Sequence, residues 1–287
     1  LCAFFGTFLA LKYLSSMLPK DAGREFAHDG KKSAGKPRGA GLIFILAFGI
    51  VAVLFGKLNW EILIYLVLTM ASMLTGYLDD ASKNPWGEFK KGALDLLIAC
   101  LVAGTYLAFN GSEIFINVLG ESISLNPIVF FILAVILVWV SINVTNCTDG
   151  VDGLSGTLSV ITLFTIYLLE SVKGTNSAIN YITLILIACV LAYLWFNATP
   201  SKLMMGDAGS RALGIFISIA ILKTGSPLLY IPVALMLIID GGLGLLKISF
   251  RRFLKIEILN NVRTPIHDHV RKKNEWSNTQ VVFRFAI

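Results

Sequence analysis

The chain is poor in charge. Of its 287 residues 15% are Asp, Glu, Lys or Arg and 56% are hydrophobic, whereas a soluble domain carries about one quarter charged residues. So few charges cannot cover a water-exposed surface, which excludes an ordinary soluble domain. Cysteine is scarce as well: Cys2, Cys100, Cys147 and Cys189 show no paired spacing. That excludes a disulfide or metal framework and leaves them as small apolar residues. No long segment alternates polar and apolar residues, which excludes a membrane β-barrel. The net charge of +6 comes with no nucleic-acid reader motif, so nucleic acid is not the expected partner.

What is present is apolar sequence in blocks. Runs at about 1–18, 39–56, 62–78, 94–109, 127–145, 154–170, 178–197, 208–223, 226–247 and 279–287 approach the roughly 20 residues that cross a bilayer core. They predict an all-α polytopic membrane protein of about ten transmembrane helices, forming a single integral membrane domain over 1–287. Leu1 and Ile287 each stand inside an apolar run, so both ends are expected to be trimmed. Placing residue 1 outside and alternating puts 19 of the 24 Lys and Arg in inner loops and leaves only Lys57, Lys173 and Lys223 outside. The positive-inside rule therefore predicts an external N-terminus.

With this orientation the acidic residues gather at one face. "GYLDD" puts Asp79 and Asp80 at the inner end of the third run, and "NCTDGVDGL" puts Asn146, Asp149 and Asp152 between the fifth and sixth. "MGDAGS" puts Asp207 at the inner start of the eighth, and "TPIHDH" puts His267 and His269 in the last inner loop. The outer segment "NGSEIFINVLGESISLN" reads as a hairpin or an interfacial stretch. Singly, each group has a plain structural reading: a solvated helix end at Asp79–Asp80, helix caps at Asp149, Asp152 and Asp207, interfacial histidines, and headgroup contacts at Lys31, Lys32, Lys36 and Arg38.

Together they point elsewhere. Five carboxylates at one membrane surface repel unless a cation lies among them, and oxygen-only ligands of this kind suit Mg²⁺. Gly150, Gly153, Gly156, Gly206 and Gly209 allow backbone to approach a ligand and open helices toward phosphate. Carboxylates, Mg²⁺, helix N-termini and nearby Lys and Arg describe phosphoryl transfer. At a bilayer edge one substrate can be a lipid phosphate and the other a cytosolic nucleotide.

The series "GYLDD", "NCTDGVDGLSG", "WFNATP…MGDAGS" and "TPIHDH" resembles the polyprenyl-phosphate N-acetylhexosamine-1-phosphate transferases over nearly the whole chain. "YLWFNATP" and "EWSNTQVVFRF" are most similar to the muramoyl branch. The resemblance implies transfer of phospho-MurNAc-pentapeptide from UDP-MurNAc-pentapeptide to undecaprenyl phosphate, giving lipid I and UMP for peptidoglycan, at the cytoplasmic face of the bacterial inner membrane. It implies Asp207 as the main Mg²⁺ ligand. Asp79 and Asp80 would serve near the lipid phosphate, with Asp79 deprotonating or orienting it. Asn146, Asp149 and Asp152 would line the nucleotide side, with Asp152 and Asn197 toward uridine. His267 and His269 would meet the pyrophosphate and sugar. Lys32, Lys90, Gly150 and Gly206 complete the implied substrate-binding set. Single displacement and an aspartyl-phosphate intermediate are both compatible, and oligomeric state is open, a homodimer included.

The chain departs from the family pattern where His267-Asp268-His269 replaces three successive histidines. Ser33 stands at a usual lysine, leaving Lys32 or Lys36 to supply the charge. Met204 replaces an aromatic and Gly92 a lysine. Two rivals remain. A GlcNAc-1-phosphate transferase of the same superfamily is favoured slightly by Asp240, where the muramoyl branch more often has Glu. An ion-coupled transporter would place its acids near the midplane and show internal repeats; here the acids lie at one edge.

Overall fold

The computed structural model describes residues 1–21, 23, 33–82, 84, 86–174 and 177–287. Its helices are α1 (Cys2–Leu14), α2 (Gly41–Phe55), α3 (Trp60–Asp80), α4 (Glu88–Asn110), α5 (Pro127–Thr148), α6 (Leu154–Val172), α7 (Ala178–Asn197) and α8 (Gly206–Lys223). A segment bent by 70° follows, Pro227–Val233 then Leu235–Leu254. Short helices Ile266–Lys273 and Asn278–Ala286 end the chain. Between α4 and α5 the strands β1 (Glu113–Ile116) and β2 (Glu121–Ser124) pair antiparallel, with Glu113 opposite Ser124 and Ile116 opposite Glu121. Of the two readings of this segment, hairpin or interfacial stretch, the hairpin is the one present.

Among the described residues, α3 to α7 are long and apolar enough to cross a membrane, and the bent segment makes a sixth if it is one span. The expected ten are not reached by length and composition. Helices α1 and α2 are apolar but short. Helix α8 has 18 residues but carries Asp207, Arg211 and Lys223.

The helix ends follow local chemistry. Helix α5 opens with Pro127 in its first turn while the Asn126 side chain accepts from the Ile128 amide at 2.9 Å, the preferred arrangement at a helix start. Helix α6 starts after Gly153, whose φ of 83° lies in the left-handed region. That turn lets the chain double back after Asp149–Asp152.

The bundle is organised around α8, which is buried at every residue from Gly206 to Leu222. Its neighbours approach through glycine. A Cβ on Gly76 of α3 would stand 2.4 Å from the Asp207 carbonyl oxygen, and one on Gly214 would stand 2.6 Å from the Ile142 Cα of α5. Close backbone approach through small residues is how helices gain packing energy where no water drives their association. One end of the bundle is pinned by Lys223, 2.9 Å from both Glu61 carboxylate oxygens and 2.7 Å from the Asn110 side-chain oxygen. The hairpin docks at this end, with the Phe115 amide donating to Gly225. The acidic motifs occupy the other end.

Candidate active site

Three helix ends and one loop build the acidic cluster. Residues 36–40 run beside 203–205: Met204 donates to the Pro37 carbonyl, and Ala40 and Gly41 donate to the carbonyls of Met204 and Met205. This brings Arg38 to the start of α8. Its Nε donates to Asp80 at 2.9 Å, and its Nη atoms lie 3.3 Å from Asp21 and 3.7 Å from Asp207. Burial alone works against the Arg38 charge, but Asp80, Asp207, Asp21 and Asp149 hold its pKa above the ordinary value.

Asp80 accepts from the Ala208 amide at 3.1 Å, so its carboxylate lies at the positive end of α8, where a negative charge is stabilised. The approach is possible because residue 206 is glycine. Its φ is 66°, and a Cβ there would stand 2.3 Å from Asp80 Oδ2. Asp79 accepts from the Trp86 amide at 2.7 Å and pairs with Lys91 of α4. The same ammonium lies 3.2 Å from Asp207. Asp21, Asp79, Asp80 and Asp207 thus carry four negative charges against two positive ones on Arg38 and Lys91, leaving a surplus of two.

The other predicted residues divide. Asn146 donates to Ser210 Oγ at 2.9 Å, one turn beyond Asp207 on α8. Asp152 accepts from the Ser201 amide at 3.1 Å and lies 3.9 Å from Lys36. Asn197 is buried and bridges two loops: it accepts from the Gly153 amide and donates to the Leu203 carbonyl, each at 2.8 Å. His267 is buried with Nδ1 2.8 Å from Asp240, and its amide donates to the other oxygen of that carboxylate at 2.7 Å. Its ring lies against Gly150, where a Cβ would come within 2.3 Å of Nε2. His269 turns away from the carboxylates and accepts from the Arg263 amide at Nδ1, 3.1 Å away. Lys90 lies over the Trp86 ring. Lys32 lies outside the described residues, and Lys36 donates to Ser201 Oγ at 2.9 Å.

Sequence reasoning missed four groups. Asp21, which no motif singled out, pairs with Arg38 and is one of the four carboxylates. Lys91, not Lys90, enters the cluster. Arg38, read as a topology signal and a headgroup contact, is its second cation. Asp240, noted only as a branch difference, orients His267. One signal for Lys91 was available. Lys91 and Asp95 are four residues apart and so share a helix face, and an aspartate inside an apolar run needs a buried partner. Asp95 is buried and pairs with Arg211 of α8, whose Nη2 also donates to the Lys91 carbonyl at 3.4 Å. That places the face carrying Lys91 against α8.

Among the described residues no three His, Cys, Asp or Glu side chains form a ready metal cage. Lys91 fills the place between Asp79 and Asp207 that a small cation suits. The donor set is nevertheless all oxygen, and its carboxylates outnumber the two cations paired with them, as a site for a divalent ion requires.

A family model, glycosyl transferase family 4, matches residues 62–225. The chain is 39% identical over 302 aligned residues to the phospho-N-acetylmuramoyl-pentapeptide-transferase of Treponema pallidum (strain Nichols), covering 99% of this chain and 83% of the relative. Proteins of the same name from Helicobacter pylori (strain Shi470) and Thermotoga neapolitana match at 27% and 29% identity. The first match covers 99% of this chain and 88% of the relative; the second covers 88% and 81%. The chain belongs to glycosyl transferase family 4 and, within it, to the phospho-N-acetylmuramoyl-pentapeptide-transferases.

Proposed function

We propose that the protein transfers phospho-MurNAc-pentapeptide from UDP-MurNAc-pentapeptide to undecaprenyl phosphate, giving lipid I and UMP. The observation that carries the reading is the interleaving of Asp79, Asp80 and Asp207, from distant segments, with Arg38 and Lys91 at one end of an apolar bundle. Anionic phosphates need cations, and a displacement between them needs both partners held in line. An oxygen of the lipid phosphate attacks the sugar-linked phosphorus, the bond to the bridging oxygen breaks, and UMP departs with the electron pair.

The contacts support the following roles. Asp79, held by the Trp86 amide and Lys91, orients the lipid phosphate and takes its proton. Lys91 and Arg38 offset charge on the phosphoryl oxygens, and Asp80 fixes Arg38 and the α8 terminus. Asn146, Asp149 and Asp152 line the nucleotide side, with Asn197 bracing the loops beneath uridine. Gly150 lets His267 approach the diphosphate side, and Lys90 lies at the rim. Mg²⁺ fits this oxygen set, with Asp207 as its main ligand, and when bound it supplies charge neutralisation for the diphosphate. The bundle spans a bacterial inner membrane with the cluster facing the cytoplasm and the N-terminus outside, in about ten passes.

The test is donor choice. Purified protein with undecaprenyl phosphate and Mg²⁺ converts UDP-MurNAc-pentapeptide to a lipid-linked product and releases UMP, while UDP-GlcNAc gives little or none. A lipid product from UDP-GlcNAc alone overturns the assignment.

A further inference from the structure

The short helix Ile266–Lys273, whose His267 lies against Gly150, also borders a concavity of about 400 Å³. It is lined by Lys247, Asn260, Asn261, Val262, Arg263, His269, Lys272 and Lys273. Its basic groups divide by their contacts. Lys247 donates to the carbonyls of Leu259 and Val262 at 3.0 and 2.8 Å, so its ammonium braces the rim. Leu259 has a φ of 53°, a conformation that costs a residue of its kind on the order of 1 kcal/mol or more and persists only where surroundings enforce it. The Lys247 brace is one such restraint.

His269 accepts from the Arg263 amide at Nδ1, so in the neutral ring the proton sits on Nε2 as a donor. Arg263 has its Nε 3.7 Å from Asp268, the acidic group that faces it. Lys272 and Lys273 are exposed. With Asn260 and Asn261 the wall is rich in donors and cationic, and suits a carboxylate. Arg251, Arg252 and Lys255 are not part of it. They follow one another along the end of the bent segment among the exposed Phe253, Leu254 and Ile256, an arrangement suited to a membrane surface.

The position matters as much as the charge. One side of Ile266–Lys273 puts His267 against Gly150, in the loop that carries Asp149 and Asp152. Two residues on, His269 faces the basic concavity. A donor whose diphosphate lies at the acidic cluster would send a substituent of its sugar past His267 toward this wall. We infer that this concavity is the subsite for the peptide carboxylates of the nucleotide-sugar donor, with Arg263, Lys272 and Lys273 as its cations and His269 Nε2 and the two asparagines as neutral donors. The inference rests on the transfer proposed above.

The experiment measures steady-state kinetics of the full chain in uncharged detergent, with two donors: UDP-MurNAc-pentapeptide and the same molecule with every peptide carboxyl converted to an amide. In the double variant Lys272→Gln/Lys273→Gln, KM for the acid donor rises about tenfold, the loss of two exposed ion pairs together. The kcat stays within about twofold by the same reasoning, since the contact is made equally in ground and transition states. The amidated donor starts with a higher KM that the variant leaves unchanged. Arg263→Gln gives the same pattern. KM values unchanged for both donors, or raised equally for both, overturn the subsite. So does a defect seen only in vesicles containing anionic phospholipid, which assigns the lysines to headgroups. If wild-type protein ignores the pentapeptide donor altogether, the proposed transfer fails and the subsite with it; if wild type uses it and the variants match wild type, the subsite alone fails.

Discussion

Replacing Gly76 by Ala tests whether glycine-mediated packing sets the active-site distances. A Cβ at position 76 would stand 2.4 Å from the Asp207 carbonyl oxygen, 2.5 Å from its carbon and 2.6 Å from the Ala208 nitrogen. All three are backbone atoms of α8, so no side-chain rotation relieves the clash. Ordinary contact begins near 3.5 Å, so α3 and α8 must part by about 1 Å. Asp79 and Asp80 lie one turn beyond Gly76 on the same helix. The 3.1 Å bond from the Ala208 amide to Asp80 would then stretch to about 4 Å, outside hydrogen-bonding range. A misplacement of that size costs roughly 10²-fold in turnover, and overpacking costs about 1–3 kcal/mol in stability. The assay is UMP release at saturating donor, with thermal unfolding in detergent beside it. Two controls separate the effect from a general glycine effect. A Cβ on Gly92 meets nothing within 4 Å, so Gly92→Ala in α4 should retain turnover and gain about 0.5–1 kcal/mol. A Cβ on Gly49 meets only the end of the flexible Met70 side chain, so Gly49→Ala should be mild. Gly76→Ala with wild-type turnover, or all three variants equally impaired, refutes the reasoning.

Three further outcomes are expected. Lys91→Met should lower kcat by about 10²–10³-fold, the effect of removing one cation from developing charge, while Lys90→Met, which loses only the contact over Trp86, should lower it a few-fold; equal losses would show that the two lysines are not distinguished. Asp207→Asn should abolish UMP release while the protein remains folded, and wild type should lose activity with a chelator. Turnover in that variant, with wild type insensitive to chelator, removes the metal from the scheme. Cysteines introduced at Ser82 or Lys272 in a thiol-free background should be labelled only from the cytoplasmic side, and one at Ser122 only from outside. The reverse pattern would put the acidic end of the bundle on the wrong face.

Much of the architecture was legible in the residues because apolar blocks leave a helix no alternative in a bilayer, where every backbone polar group must be satisfied internally. The hairpin at 113–124 was legible from its alternation, and the acidic motifs from charges that an apolar chain has little reason to keep. The number of full-length spans was harder to read. Hydropathy along the chain does not distinguish a lipid-facing helix from a short or fully enclosed one. Helix α8 carries charges because it sits inside the bundle, where Arg211 meets Asp95 and Asp207 meets Lys91 and Arg38.

The residues alone determined that Asp79, Asp80 and Asp207 belong at helix ends, because each stands where an apolar run meets polar sequence. Tertiary structure decided which cations join them. Lys90 and Lys91 are adjacent and chemically identical; the spacing to Asp95 marks the face that carries Lys91, and the buried Asp95–Arg211 pair turns that face toward α8 and leaves Lys90 over Trp86. In the same way His267 and His269 look equivalent in "HDH". The turn carrying Asp240 takes His267 into the interior, while His269 faces the opposite wall. Helical phase is a local property, but the partner that gives it a direction comes from a helix more than a hundred residues away in the chain.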